Sequence, residues 1–292
     1  MPLRITRLSK NSLVVDSPVM NAAGTLGFGD EYRDLLDMST LGAFVTNPLT
    51  YTPWNPAAGT RVVPLDAGVL VHTGLPNLGL AQVIAKYRDV WERLPMPVIA
   101  HVIVNTVEEV QRCMALLDAE ESIEAMELGL SDEITPAETE WHIRTARERL
   151  EKPVLARLPF AATIDHYQAA IDAGADALVV CAPPRGTARD QAGRLVAGRV
   201  YGPLIKPIVL RMVGQLARRF PRIPLIGAGG IHSPQDARDY LEAGAVAVQV
   251  DSVTWVMPTM LELIARDLGG MESTKPNSGG GLDDLMNEMQ EP

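Results

Sequence analysis

The chain has 292 residues, 47% of them hydrophobic, and a formal net charge of −10; that buries a sizeable core in one large α/β barrel or two smaller domains. Acidic residues are dispersed and Lys and Arg are not clustered, which excludes a nucleic-acid surface, and the two distant cysteines, Cys113 and Cys181, exclude a disulfide framework. The amino-terminal stretch is broken by charges and no run is long enough to span a bilayer, so a soluble, cytoplasmic protein is expected, with no membrane contact.

After a short opening ribbon, Val19–Ala22 reads as a strand, Ala23-Gly24 as a turn, Asp30–Leu36 as a short helix and Ala43–Thr46 as a second strand. From Asn47 to Leu80 the chain is rich in Pro and Gly, with two short apolar runs, Arg61–Pro64 and Gly68–His72. A loop of that length in a compact domain is usually a lid or a binding wall. Regular alternation then resumes: helix Ala81–Trp91, strand Val98–Val102, helix Val107–Leu117, strand Ala125–Leu130, helix Glu138–Leu150 and strand Val154–Leu158. Helix Ile164–Ala173 and strand Ala177–Cys181 come next, then an irregular insertion, Pro183–Pro203, and helix Ile205–Arg219.

The stretch Pro224–Ser252 reads as strand, glycine turn, helix, strand. At Ala228-Gly229-Gly230 the missing Cβ atoms let backbone N–H groups turn toward a ligand. Ser233-Pro234 caps the helix, Gly244 ends it, and Ala245–Val250 is the next buried strand. Two such neighbouring strand ends form a phosphate cup in a parallel barrel; an ordinary tight βαβ turn is the other reading. With helix Pro258–Leu268 the count is eight strands with intervening helices, an α/β chain of the (β/α)8 TIM-barrel type over residues 1–269.

Residues 270–281 read as a flexible Gly/Ser linker. In the acidic tail 282–292, Leu282, Leu285, Met286 and Met289 fall on one helical stripe. The tail is either a tethered docking segment for a protein partner or a frayed end too short to hold a helix alone.

Five segments together resemble the dihydroorotate dehydrogenase family: Asn21–Tyr32, Leu41–Thr50, His72–Leu80, Gly202–Val213 (GPLIKPIVLRMV) and Ile223–Val250 (IPLIGAGGIHSPQDARDYLEAGAVAVQV). The likeness runs in collinear order from Val19 to about Leu268. It implies an FMN-dependent oxidoreductase barrel of pyrimidine biosynthesis and a homodimer. It places the FMN phosphate on Gly229, Gly230, Asp251 and Ser252, with Gly202 on the same side. Asp251 stands where the family carries Gly, so a carboxylate enters the cup. The flavin ring falls beside Ala23, Gly24, Thr46, Asn47, His101 and Arg157. Here Asn47 replaces a family Lys, His101 replaces an Asn and is either a donor to the ring or a barrel-mouth histidine satisfied by backbone, and Arg157 replaces the Lys at the flavin pyrimidine edge and keeps its charge.

The substrate loop departs furthest. Where the family carries Asn-x-Ser-Cys-Pro-Asn, this chain has Gly129 to Ile134; Asp132 stands at the position of the catalytic base, and both orotate-binding amides are missing. Two more family Asn positions are Val71 and Ala182. Asp132 is the candidate catalytic carboxylate, with a solvated loop as the other reading. Arg185, Arg189 and Arg194 are candidates for clamping an anion, or simply a solvated loop. The five histidines lack ligand spacing, so no metal site is expected. The readings in play are a flavin oxidoreductase acting on a small molecule other than dihydroorotate, or only weakly on it; a catalytically degenerate barrel acting as a binding or regulatory subunit; and a non-redox enzyme taking a phosphorylated substrate.

Overall fold

The computed structural model describes residues 2–269; the linker and tail expected beyond them lie outside the described residues. The buried apolar runs become eight parallel strands that follow one another around a barrel: Val19–Asn21, Phe44–Val45, Val98–Ile103, Ala125–Gly129, Val154–Arg157, Ala177–Val180, Leu225–Ala228 and Ala247–Val250. The first pairs with the eighth, and an isolated parallel bridge from Met20 to Ala43 joins it to the second. Asn21 reinforces that junction. Its buried amide donates to the Val45 carbonyl at 2.7 Å and accepts from the Val45 N–H at 2.9 Å, standing in for backbone pairing.

Apolar side chains fill the barrel's lower interior, among them Met20, Val45, Ile99, Leu155, Val179 and Ile226. The opening ribbon, Leu3–Arg4 with Val14–Val15, adds Ile5, Leu13 and Val15 to the same cluster. A second cluster packs the barrel's outer face against the helices, with Phe44, Leu128, Tyr167 and Ile264 in it. Helices Leu80–Trp91, Val107–Asp118, Pro136–Arg149, Ile164–Asp172, Lys206–Arg219, Pro234–Glu242 and Pro258–Gly269 surround the strands. Their starts follow from the sequence: Ser233 Oγ accepts the Asp236 N–H, and Thr135 with Glu138 closes a reciprocal capping box. None of the helices among the described residues is long and apolar enough to cross a membrane.

Two expectations need correction. No helix forms over Asp30–Leu36. The Glu31 carboxylate bends back to accept the N–H groups of Phe28, Gly29 and Asp30 at 2.9, 3.1 and 3.2 Å, and the chain runs on as turns. Nor are the two long insertions irregular. Strands Val62–Leu65 and Gly68–Val71 from the first join Arg185–Arg189 and Leu195–Tyr201 from the second in one antiparallel sheet. Pro64 fits because its strand lies at the sheet edge. At Gly202 (φ 140°) a Cβ would lie 2.5 Å from the Ala67 carbonyl oxygen, so only glycine lets the two insertions approach this closely. Both insertions follow carboxyl ends of barrel strands, the side where this fold carries its ligand chemistry.

Candidate active site

Successive strand residues alternate between the barrel interior and the helix layer. Above the apolar floor the inward positions are His101, Glu127, Arg157 and Gln249, on the third, fourth, fifth and eighth strands, all buried. They form one network. The Glu127 carboxylate accepts from His101 Nδ1 at 2.8 Å, from Arg157 Nη1 at 3.2 Å and from the Gln249 amide. Arg157 Nη1 also donates to Gln249 Oε1 at 2.9 Å. Burial pushes the Glu127 carboxyl up, but the His101 hydrogen bond and the Arg157 charge outweigh it and hold it down at about 2. An ionised, acceptor-only carboxylate requires His101 to carry its proton on Nδ1.

Around the mouth, Thr46 Oγ1 accepts the His101 backbone N–H at 3.1 Å. Asn47 Oδ1 is buried with no hydrogen-bond partner. Gly24 has φ 86°, the left-handed region that favours glycine, and a Cβ added there would stand in ordinary contact with Pro48 Cδ at 3.8 Å. Ala23 precedes it at the carboxyl end of the first strand. Gly129 is glycine for a local reason: a Cβ there would lie 2.5 Å from Ile103 Cδ1 and 2.9 Å from His101 Cε1 and Nε2. The imidazole therefore occupies the space where the resemblance would place an amide side chain.

Asp132 does not stand free at the mouth. Its two carboxylate oxygens receive Arg185 Nε and Arg199 Nη1, each at 2.6 Å, from the hairpin of the second insertion. Burial raises its pKa, but the two guanidinium contacts outweigh burial and hold it below the usual carboxylate value. A base so stabilised in its ionised form has little driving force for taking a proton. Arg189 and Arg194 are also engaged locally, with the Gly193 carbonyl and with Asp190 and Thr60.

The glycine turn has the conformation the sequence required, with φ 139° at Gly229 and 66° at Gly230. A Cβ on Gly230 would meet the Lys206 backbone nitrogen at 2.6 Å, and Tyr240 Oη anchors the Gly229 carbonyl at 2.8 Å. The neighbouring strand end is different. Asp251 Oδ1 folds onto its successor, accepting the Ser252 N–H at 2.5 Å and Ser252 Oγ at 3.1 Å, with His232 Nε2 3.1 Å from Ser252 Oγ. Burial raises the Asp251 pKa, only partly countered by the Ser252 hydrogen bonds. Among the described residues no Lys, Arg or His pairs with it as a salt bridge. The carboxylate thus takes up the Ser252 donors that would face an anion.

The structure brings His101 and Arg157 together and adds Glu127 and Gln249, which the sequence reading did not single out. Their signal was present: each is a polar residue inside a run buried on both faces, in AMELG and AVQV. Among the described residues no group of three or more His, Cys, Asp or Glu is arranged to hold a metal ion.

A family model described as Dihydroorotate dehydrogenase matches residues 10–271. Curated relatives include the protein named dihydroorotate dehydrogenase B (NAD(+)), catalytic subunit, from Citrifermentans bemidjiense, 33% identical over 86% of this chain and 88% of the relative. The proteins of that name from Pelobacter propionicus and Geobacter sulfurreducens are 34% and 32% identical, over 89% and 88% of this chain and 90% and 89% of the relatives. The chain belongs to the dihydroorotate dehydrogenase family.

Proposed function

We propose that this family member is an FMN-dependent oxidoreductase whose small-molecule substrate is a ring compound other than dihydroorotate, or dihydroorotate held only weakly. The buried His101–Glu127–Arg157–Gln249 layer under the mouth carries the reading. Replacing a buried ion network with apolar residues of like volume is often neutral or stabilising, by roughly 1–4 kcal/mol. Retaining one beneath a ligand mouth therefore speaks for chemistry more than for stability.

The residues present suit the ring half of FMN. The orphaned Asn47 Oδ1 asks for a donor, and the Arg157 charge favours an electron-rich ring. When bound, FMN would supply the two-electron acceptor. The amides of Gly229, Gly230 and Ser252, with Gly202 alongside, would hold its phosphate, and Asp251 would weaken that grip. On the substrate side, Gly129, Ile134, Val71 and Ala182 offer no side-chain amides to a pyrimidine. Each polar ring atom left unsatisfied costs roughly 1–3 kcal/mol, which supports a changed or weakly held substrate. Asp132 serves best as a strap holding the second insertion over the mouth.

A second reading, a flavin-free binding or regulatory barrel, is favoured by one observation, the closure of the Ser252 amide by Asp251. The visible spectrum of the isolated protein, followed by FMN titration and anaerobic reduction with dihydroorotate and other dihydropyrimidines, separates the two. A colourless protein that takes up no added FMN would falsify the first reading. The relatives' designation as catalytic subunits supports a second protein that exchanges electrons with this one. A cytoplasmic homodimer is the accompanying proposal; deleting residues 271–292 leaves its size unchanged on a sizing column unless the tail docks.

A further inference from the structure

The site needs a group that can exchange a proton with its substrate, and the family's thiol position holds a carboxylate tied down by two arginines. The other titratable groups near the mouth are also committed. Glu127 is saturated by three donors. Cys181 is pushed up to about 12 by burial, and Asp251 is folded onto Ser252. His101 differs from all of them. Its Nδ1 is held by Glu127, so that in the neutral ring the lone pair lies on Nε2, and no side chain or backbone group among the described residues binds that nitrogen. Nε2 reaches toward the carboxyl end of the neighbouring strand, 2.9 Å from where a Cβ on Gly129 would stand.

We propose that His101 Nε2 is the proton acceptor of this site, acting on the C–H next to a carbonyl in a dihydropyrimidine-type ring, and that Glu127 is the positioning residue that fixes the ring's Nδ1–H tautomer and turns Nε2 to the substrate. In the forward step the C–H bond breaks, an N–H bond forms at Nε2, and the electron pair passes through the carbon to the carbonyl oxygen as an enolate. The Glu127 carboxylate stabilises the resulting imidazolium. The reverse step returns a proton to the same carbon. No electron acceptor takes part, so the inference relies on the proposed function only for the kind of ring bound.

The test is deuterium wash-in at the ring CH2 next to the carbonyl of dihydroorotate and of dihydrouracil in D2O, followed by proton NMR, with no electron acceptor added. The wild-type chain is expected to catalyse exchange into at least one of the two. His101→Gln is expected to slow it by about 10²–10⁴-fold, the usual range for a general base, while Arg112→Gln, exposed on an outer helix, stays within a few-fold of wild type. Thermal melts of both variants show whether they fold. In parallel, long-range ¹⁵N spectra of the imidazoles should show His101 of the wild-type chain protonated at Nδ1 only, and Glu127→Gln should relax that preference. Absence of wild-type exchange, retention of exchange in a folded His101→Gln protein, or a proton resident on Nε2 each overturns the assignment. Exchange by a protein that binds no flavin would sustain it while removing the proposed oxidoreductase function.

Discussion

Asp251→Gly restores a bare backbone at the strand end opposite the glycine turn, and its effect can be worked from the geometry. The wild-type carboxylate is buried, has no cationic partner among the described residues and holds the Ser252 N–H at 2.5 Å. A phosphate placed on that amide would sit about 5 Å from the carboxylate. At an effective dielectric of about 20 this repels by about 3 kcal/mol per pair of unit charges. Releasing the amide adds a charge-assisted hydrogen bond of roughly 1.5–3 kcal/mol. The electrostatic part alone corresponds to about a hundredfold in affinity. Fluorescence titration with FMN should therefore give a dissociation constant at least about a hundredfold lower for the variant at pH 8. The pH dependence follows from the raised pKa of Asp251. Below its titration the carboxyl is neutral and repulsion disappears, so the advantage of the variant shrinks as pH falls and grows as pH rises. Dissociation constants within threefold of each other across pH 5–8 would refute the reasoning, because the carboxylate would then not face the bound anion.

Glu127→Leu leaves Arg157 buried without its charge partner and should cost about 3–5 kcal/mol, read as a lowered denaturant midpoint. The Glu127 carboxyl lies at about 2 in the folded chain against an ordinary 4.5, so its stabilisation is fully present above pH 4.5 and is lost as pH falls toward 2; acid melts should show that loss in the wild-type chain and not in the variant. Asp132→Asn should change global stability by less than about 1 kcal/mol, since its partners Arg185 and Arg199 are partly exposed, while hydrogen exchange over 185–201 quickens. Asn47→Leu removes an orphaned acceptor and should stabilise the ligand-free protein by about 1–3 kcal/mol while weakening FMN binding.

The barrel was legible because its strands are short, mostly apolar runs separated by helical stretches, one of them with a readable cap at Ser233-Pro234. The added sheet was not. Arg185–Arg189 alternates exposed and half-buried positions with no apolar face, and its hairpin partner Leu195–Tyr201 pairs on its other side with Gly68–Val71, from an insertion more than a hundred residues away in sequence. The false helix at Asp30–Leu36 had suitable composition, but one carboxylate, Glu31, captured the N–H groups that a helix would have used. At the site, Arg157 and the glycine turn were visible as residue types. The ties of Asp132 to Arg185 and Arg199, and of His101 to Glu127, depend on register and side-chain reach, which only the folded chain supplies.

Where the circle of strands closes, a lone bridge and the carboxamide of Asn21 carry what elsewhere is a ladder. Such a seam is the place for the wall to breathe, and the amide of Val45 should report it first in native-state exchange. Ala23, Gly24, Thr46 and Asn47 extend from these same two strands. A ligand spanning them would rivet the closure from above, so occupancy of the mouth should be felt as slower exchange at Val45, just below it.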